Sequence, residues 1–297
     1  MRAVQVTRFG GPEVLRCVDV ERPAPISTEV LVRVIAAGVN PVDCKTRRGE
    51  GVARWVGPPP FIAGWDVCGV VEAMGYGVTR FKVGDVVFGM PRFPRAAGGY
   101  AEYVTAPSRQ LARVPDGMSP IEAAALPLAW LTAWQCLVDT AQILDGQTVV
   151  IHGAGGGVGQ IAAQIASARG ARVIATIDRH DRKALKTDDA NVALDLVGGH
   201  DTRELVATIR QGGLLLAVAD GADDAVKNAA KSRGVRVAEP LVEPDGHAME
   251  MAAEMLRAGA LKVNVKETFP LQNAAEAHER LERGGLGGKL VLEVSHD

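Results

Sequence analysis

The strongest constraint on this chain is a single strand–turn–helix signal. Residues 148–166 read Thr-Val-Val-Ile-His-Gly-Ala-Gly-Gly-Gly-Val-Gly-Gln-Ile-Ala-Ala-Gln-Ile-Ala. The apolar run Thr148 to His152 has strand length and stops at a cluster of glycines. A helical pattern opens at Gly156 and runs to Ala168. Ala154, Gly156 and Gly159 hold the G-x-G-x-x-G spacing, with alanine in the first place. Small residues there make the tight turn, let backbone N–H groups approach a pyrophosphate, and let helix and strand pack closely. The helix N-terminus adds partial positive charge. The context, after a buried strand and at the start of a helix, is what makes the motif informative. Ala154, Gly155, Gly156, Gly157, Val158 and Gly159 are the candidate phosphate cradle of a dinucleotide site.

The rest of the chain falls into two rhythms. Up to about residue 115, short strand-like runs alternate with Gly and Pro punctuation, the pattern of a β-barrel or sandwich. From Ser119-Pro-Ile-Glu122, a capping box with proline at the first helical position, the pattern changes. A long apolar helix follows, then strands alternate with helices: Thr148–His152, Ala171–Thr176, Asn191–Val197 and Leu214–Ala219. Near-continuous apolar strands between helices imply a parallel sheet covered on both faces. Leu271 to Arg283 reads as an amphipathic helix, and Lys289 to Val294 as a closing strand.

Composition narrows the function classes. With 33 Lys+Arg against 35 Asp+Glu, the net charge of −2 lacks the basic excess of a nucleic-acid or anionic-membrane surface. Aromatic residues are 4% of the 297, too few for a base-stacking platform. No apolar run approaches the ~20 residues of a membrane span. The N-terminus, Met1 to Arg8, reads as a strand and lacks the apolar run of a signal peptide. The four cysteines (Cys17, Cys44, Cys68, Cys136) form no C-x-x-C pair, which suits reduced thiols in the cytoplasm.

The end of the strand after the glycine loop selects the cofactor. Asp178 lies about 20 residues after Gly159, the place of a carboxylate for a ribose 2′-OH. Arg179, His180, Arg182 and Lys183 crowd beside it, and these favour a 2′-phosphate. The expectation is NADPH, with NADH as the alternative.

Several segments then carry a resemblance. They are Ala36-Ala-Gly-Val-Asn-Pro-Val-Asp-Cys-Lys, Gly64-Trp-Asp-Val-Cys-Gly-Val-Val-Glu, Gly84-Asp-Val-Val-Phe-Gly and Gly98-Gly-Tyr-Ala-Glu-Tyr-Val. Ala125-Leu-Pro-Leu-Ala-Trp-Leu-Thr-Ala-Trp-Gln, the glycine loop and Gly287-Gly-Lys-Leu-Val-Leu complete the set. In this order the chain resembles the zinc-independent, zeta-crystallin-like quinone oxidoreductases of the medium-chain dehydrogenase/reductase superfamily. The resemblance implies an α/β chain: a GroES-like β-barrel catalytic domain (1–117 and 264–297) and a Rossmann doubly wound parallel sheet (118–263). It also implies an active site in a cleft between them, Gly288 and Lys289 beside the cofactor, and a homodimer.

Zinc enzymes of that superfamily hold catalytic metal through Cys, His and Cys. The matching places here are Asn40, Trp65 and Leu128, so no metal is expected. Without a Lewis acid the easier chemistry is hydride transfer from NADPH to an already electrophilic quinone or α,β-unsaturated carbonyl, with no flavin. Asn40, Lys45 and Thr132 are the candidate catalytic contacts, and Trp65, Trp130 and Trp134 the candidate pocket walls. Asn40 has a competing reading as an Asx-type turn before Pro41, and Asp43 as an organiser of the same loop. No histidine stands in a convincing catalytic motif. Against the pattern of the family it resembles, the chain is short by on the order of 15–20 residues between Asp178 and Asp195, about one strand and part of a helix, so a shortened Rossmann sheet is expected. Two other readings stay open: an enoyl reductase on a thioester or polyketide intermediate, and a non-catalytic nucleotide-binding protein.

Overall fold

The computed structural model describes residues 1–176 and 187–294. Asp178, Arg179, Arg182 and Lys183 lie outside the described residues. In chain order the first strands are β1 (Arg2–Val6), β2 (Leu15–Asp19), β3 (Glu29–Val39), β4 (Phe61–Ile62), β5 (Asp66–Met74), β6 (Val86–Gly89), β7 (Tyr103–Pro107) and β8 (Leu111–Arg113). Then come β9 (Thr148–His152), β10 (Arg172–Thr176), β11 (Ala190–Asp195), β12 (Ile209–Ala217), β13 (Arg236–Ala238), β14 (Val265–Pro270) and β15 (Lys289–Glu293). The helices are α1 (Pro41–Arg47), α2 (Ala53–Val56), α3 (Pro120–Ala125), α4 (Pro127–Trp134) and α5 (Gly157–Ala168). They continue with α6 (Thr202–Val206), α7 (Asp224–Arg233), α8 (Gly246–Arg257) and α9 (Ala274–Glu282).

By packing the chain divides into two compact units, Met1–Leu131 with Glu243–Asp297, and Thr132–Val242. The division falls inside α4. The motif-based limits at 117/118 and 263/264 lie within the first unit, because α3 packs on β3 and β5 and α8 packs on β8.

The first unit is built around β3. Its residues are almost all buried, as its apolar sequence requires. One edge pairs antiparallel with β5 through two register shifts. The other edge is shared: Glu29 to Arg33 pair with β7 and Ala36 to Val39 with β15. The resulting sheet runs β14-β15-β3-β5-β6-β8, with β7 beside it. A three-stranded sheet, β2-β1-β4, lies on the same apolar core, in which Val4, Val6 and Leu15 meet Val30, Val32 and Val104. Among the described residues no ladder joins β8 to β14, so the expected barrel is not closed. Dividing one edge of β3 between two strands leaves β8 and β14 as open ends. The expected capping box forms at α3, where Ser119 Oγ accepts from Glu122 N–H at 3.2 Å. The apolar pattern after it continues as α4, buried from Pro127 to Ala133.

The second unit is a five-stranded, all-parallel sheet in the order β10-β9-β11-β12-β13. Its core joins Val150, Ala193, Leu205, Ile209 and Leu215. Burying each of the larger aliphatics contributes roughly 1.5–3 kcal/mol. The doubly wound order has three strands on each side of its switch point. Here, among the described residues, only β10 and β9 stand on one side. Among the described residues no strand lies beyond β10, and residues 177–186, where the shortening was read, lie outside them.

Candidate active site and dinucleotide loop

The switch point of the parallel sheet lies at the carboxyl ends of β9 and β11, where the strand order reverses. Open α/β sheets bind ligands at such a point. The glycine loop leaves β9 there. Gly153 and Ala154 N–H both donate to Thr176 O, at 3.1 and 2.9 Å, which ties the loop to the end of β10. A Cβ on Gly159 would stand 2.3 Å from Gly153 O and 2.6 Å from Ala154 Cα, so only glycine lets α5 approach the loop this closely. No side chain caps α5 at Gly156. Its first-turn N–H groups, from Gly157, Val158 and Gly159, therefore suit an anion. These features fit a dinucleotide pyrophosphate.

Beneath the loop sits a pair that sequence reasoning placed only in part. His152 is buried at the end of β9 with Nδ1 3.0 Å from Asp195 Oδ1. Asp195 Oδ1 also accepts from Val197 and Gly198 N–H, and Oδ2 from the Thr202 hydroxyl. Burial pushes the Asp195 carboxyl up, but these donors outweigh it and hold it below the usual carboxylate range. Asp195 thus ties the end of β9 to the loop that follows β11.

In the first unit, Asn40 caps the N-terminus of α1 at 1% exposure. Its Nδ2 donates to Asp66 Oδ2 at 2.8 Å, and its Oδ1 accepts from the Lys289 ammonium. Lys289 Nζ also reaches Val39 O at 3.4 Å and stands 3.9 Å from Asp66 Oδ2. The charges fix the amide, since a flip would set donor against donor and acceptor against carboxylate. Asp66 Oδ1 accepts from Leu128 N–H at 2.9 Å. Burial pushes the Asp66 carboxyl up to about 6, against the pull of Lys289, Asn40 and the Leu128 amide. Burial likewise lowers the Lys289 ammonium below its ordinary range. Asn40 keeps one N–H and one lone pair beyond these bonds. Lys289 turns inward onto Asn40, and Gly288 precedes it against Asn264 O.

Asp43, three residues into the same helix, is 2% exposed. Its Oδ2 accepts from Asn40 N–H at 2.7 Å and from the Tyr100 hydroxyl at 3.1 Å. Tyr100 Oη is 3.3 Å from His278 Nε2, and His278 Nδ1 is 3.2 Å from Arg47 Nη1. Burial first, then the Arg47 charge, lowers His278 to about 3, so the ring is neutral. Arginine can only donate, which leaves Nδ1 as acceptor and the proton on Nε2. The bonds therefore run in one direction, from Arg47 through His278 and Tyr100 to Asp43. Arg47 is 1% exposed and is held by Glu282 at 2.7 Å and by Gly10 O. Gly64 makes room for Tyr100: its φ is +86° and a Cβ there would lie 2.1 Å from the ring.

The remaining predicted residues are spread out. Trp65 is buried, donates to Arg95 O at 2.7 Å and stands edge-on to Phe93. It lines a small pocket with Asp43, Thr46, Phe61 and Gly64. Trp130, expected in a pocket wall, is fully buried, and its indole N–H donates to Ala248 O at 2.7 Å. Its largely apolar helix buries it in the core. Trp134 is half-buried and Thr132 buried on α4, and Lys45 is half-buried on α1. Asp66, Tyr100, His278 and Arg47 were missed as a cluster. Asp66 and Tyr100 do stand within the matched segments Gly64–Glu72 and Gly98–Val104.

The residues do not fit a catalytic zinc ion. Asn40 is engaged by an ammonium and a carboxylate, Trp65 offers an indole N–H, and Leu128 only its backbone. None is a thiolate, imidazole or carboxylate ligand, and a second cation beside Lys289 would be repelled. Among the described residues no group of three or more His, Cys, Asp or Glu is arranged to hold a metal.

Comparison with known proteins agrees with this architecture. Residues 27–116 match an alcohol dehydrogenase GroES-like domain, and residues 154–292 match a zinc-binding dehydrogenase domain. Quinone oxidoreductases from Pongo abelii and Mus musculus are 30% and 31% identical, each aligned over 98% of this chain and 97% of their own length. The quinone oxidoreductase structure from Coxiella burnetii superposes with a TM-score of 0.89 at 31% identity, covering 99% of both chains. The Escherichia coli quinone oxidoreductase complexed with NADPH superposes at 0.85 and 26% identity, over 99% of this chain and 100% of that one. The chain belongs to the quinone oxidoreductase family of the medium-chain dehydrogenase/reductase superfamily, and is an oxidoreductase of that superfamily by kind.

Proposed function

We propose that this protein reduces quinones or α,β-unsaturated carbonyls with NADPH and without a metal. The observation that carries the reading is a contrast within the molecule. The dinucleotide loop has an uncapped helix N-terminus at the switch point. The positions that match the zinc ligands are held by Asn40, Trp65 and Leu128, with Lys289 and Asp66 bonded to Asn40. When bound, the dihydronicotinamide supplies a hydride. The backbone N–H groups of Gly157, Val158 and Gly159 hold the pyrophosphate. Asn40, locked by its two charged partners, presents its remaining N–H toward a carbonyl oxygen. A conjugated acceptor needs no Lewis acid, because conjugation delocalises the arriving charge and hydrogen bonds suffice. The likeness to an NADPH-bound quinone oxidoreductase supports the choice of cofactor. A cytoplasmic homodimer belongs to the same proposal.

The test is a fluorescence titration with NADPH and NADH beside a rate assay on a panel of quinones and enones. The reading expects tighter binding of NADPH and turnover of at least one acceptor class. Tight binding with no turnover across the panel would leave a nucleotide-binding protein without this activity.

A further inference from the structure

The hydride reaction also needs a proton, and no histidine motif in the sequence supplies one. Among the described residues three buried side-chain oxygens have no hydrogen-bond partner. Two of them, Asp43 Oδ1 and Thr46 Oγ1, belong to residues lining the same pocket. Asp43 and Thr46 are one helical turn apart on α1, 2% and 1% exposed. Orphaned oxygens at this depth are costly unless a donor reaches them. The pocket is walled by Trp65, Phe61 and Ala63, and has room for about a water molecule. A water there would have the two polar partners that a buried water needs.

We propose that this pocket is a water site, and that Asp43 stores the reaction's proton and passes it through that water to the reduced acceptor. The inference rests on the reductase reading above. Hydride arriving from the dihydronicotinamide leaves negative charge on the acceptor oxygen. The Asp43 Oδ1–H bond then breaks as a new O–H bond forms on the water. The water's other proton passes to the acceptor oxygen, and solvent later reprotonates the Asp43 carboxylate. Asp43 acts through the water and is a positioning and proton-holding residue.

The surroundings suit this task. Asp43 Oδ2 is fully engaged by Asn40 N–H and the Tyr100 hydroxyl, so the proton belongs on Oδ1, the side of the pocket. Burial pushes the carboxyl up to about 7, with nearby Asp66 adding to the rise. The two hydrogen bonds on Oδ2 and the Lys289 charge pull the other way. Cys44 adjoins it, and behind Tyr100 stand neutral His278 and then Arg47 with Glu282. Asp66, the other buried carboxyl of this cluster, has both oxygens occupied.

Three measurements on the full-length protein test this. A high-resolution crystal structure is expected to show a water within hydrogen-bond distance of Asp43 Oδ1 and Thr46 Oγ1. Its absence overturns the site. Infrared titration of the free protein is expected to show two buried protonated carboxyls lost near neutral pH, and Asp43→Asn should remove one of them and leave that of Asp66. In turnover, kcat is expected to fall as pH rises through the same range. Asp43→Asn should remove that limb and lower the rate about 100-fold. Tyr100→Phe, which takes a donor from the carboxylate, should move the limb to higher pH. Thr46→Val should slow turnover and leave the limb in place. A wild-type limb that persists in Asp43→Asn, or stays fixed in Tyr100→Phe, overturns this inference alone. A protein that titrates Asp43 but reduces no acceptor overturns the reductase reading as well.

Discussion

Removing the buried ammonium of Lys289 tests the electrostatic logic of the cluster. In Lys289→Met the apolar stem is kept, and the bonds to Asn40 Oδ1 and Val39 O and the pairing with Asp66 are lost. Breaking one side of a buried ion pair costs about 3–5 kcal/mol. We take about 3 kcal/mol at neutral pH, since Asn40 and the Leu128 amide still bond Asp66. The penalty should depend on pH. Asp66 already has its folded pKa raised from 3.8 to about 6. The folded state therefore binds its proton more tightly than the unfolded chain, and stability falls as pH rises through that window. Losing Lys289 extends the window upward. At about pH 5, with Asp66 protonated, the cost of the substitution should shrink to about 1 kcal/mol. Urea denaturation followed by tryptophan fluorescence reads this, because Trp55, Trp65 and Trp130 all lie in the first unit. Asp66→Asn in the Lys289→Met background should recover much of the loss. An equal penalty at both pH values, with no recovery, would refute the assignment of Asp66 and Lys289 as a coupled pair.

Other outcomes follow from the same geometry. Gly159→Val puts a side chain against Gly153 O and Ala154 Cα, so NADPH affinity measured by titration should fall more than 10-fold while the first unit unfolds as before. Trp130→Phe removes the indole donor to Ala248 O, which α8 still engages, and leaves a gap in the core. It should cost about 2–3 kcal/mol of stability by urea unfolding and leave acceptor preference unchanged. His152→Ala removes a donor from Asp195, so the Asp195 carboxyl, read by carbon-labelled NMR titration, should move upward.

Much of this was legible in the sequence because local and global signals agree there. The strand, glycine loop and helix at residues 148–168 each carry their own pattern, and the structure places them at a switch point that no single segment encodes. The Ser119–Glu122 capping box is equally local. The open β sheet was not legible, because one edge of β3 is shared between β7 and β15, strands far apart in the sequence. The polar cluster was hidden for the same reason. Arg47 and His278, or Asn40 and Lys289, are more than 200 residues apart. Each looks ordinary until the fold buries it beside its partner. Trp130 misled because an aromatic in an apolar helix reads alike whether it faces a pocket or the core, and the bond to Ala248 O decides.

The central claim is metal-free reduction of a conjugated acceptor by NADPH. The most direct measurement is the anaerobic oxidation of NADPH by a simple benzoquinone, followed by nicotinamide absorbance. The protein is first dialysed against a chelator and its metal content is assayed in parallel. The account predicts turnover with stoichiometric loss of NADPH and quinone, unchanged by chelation or by added zinc. No turnover until zinc is restored, with zinc bound in equal stoichiometry to the protein, would contradict it.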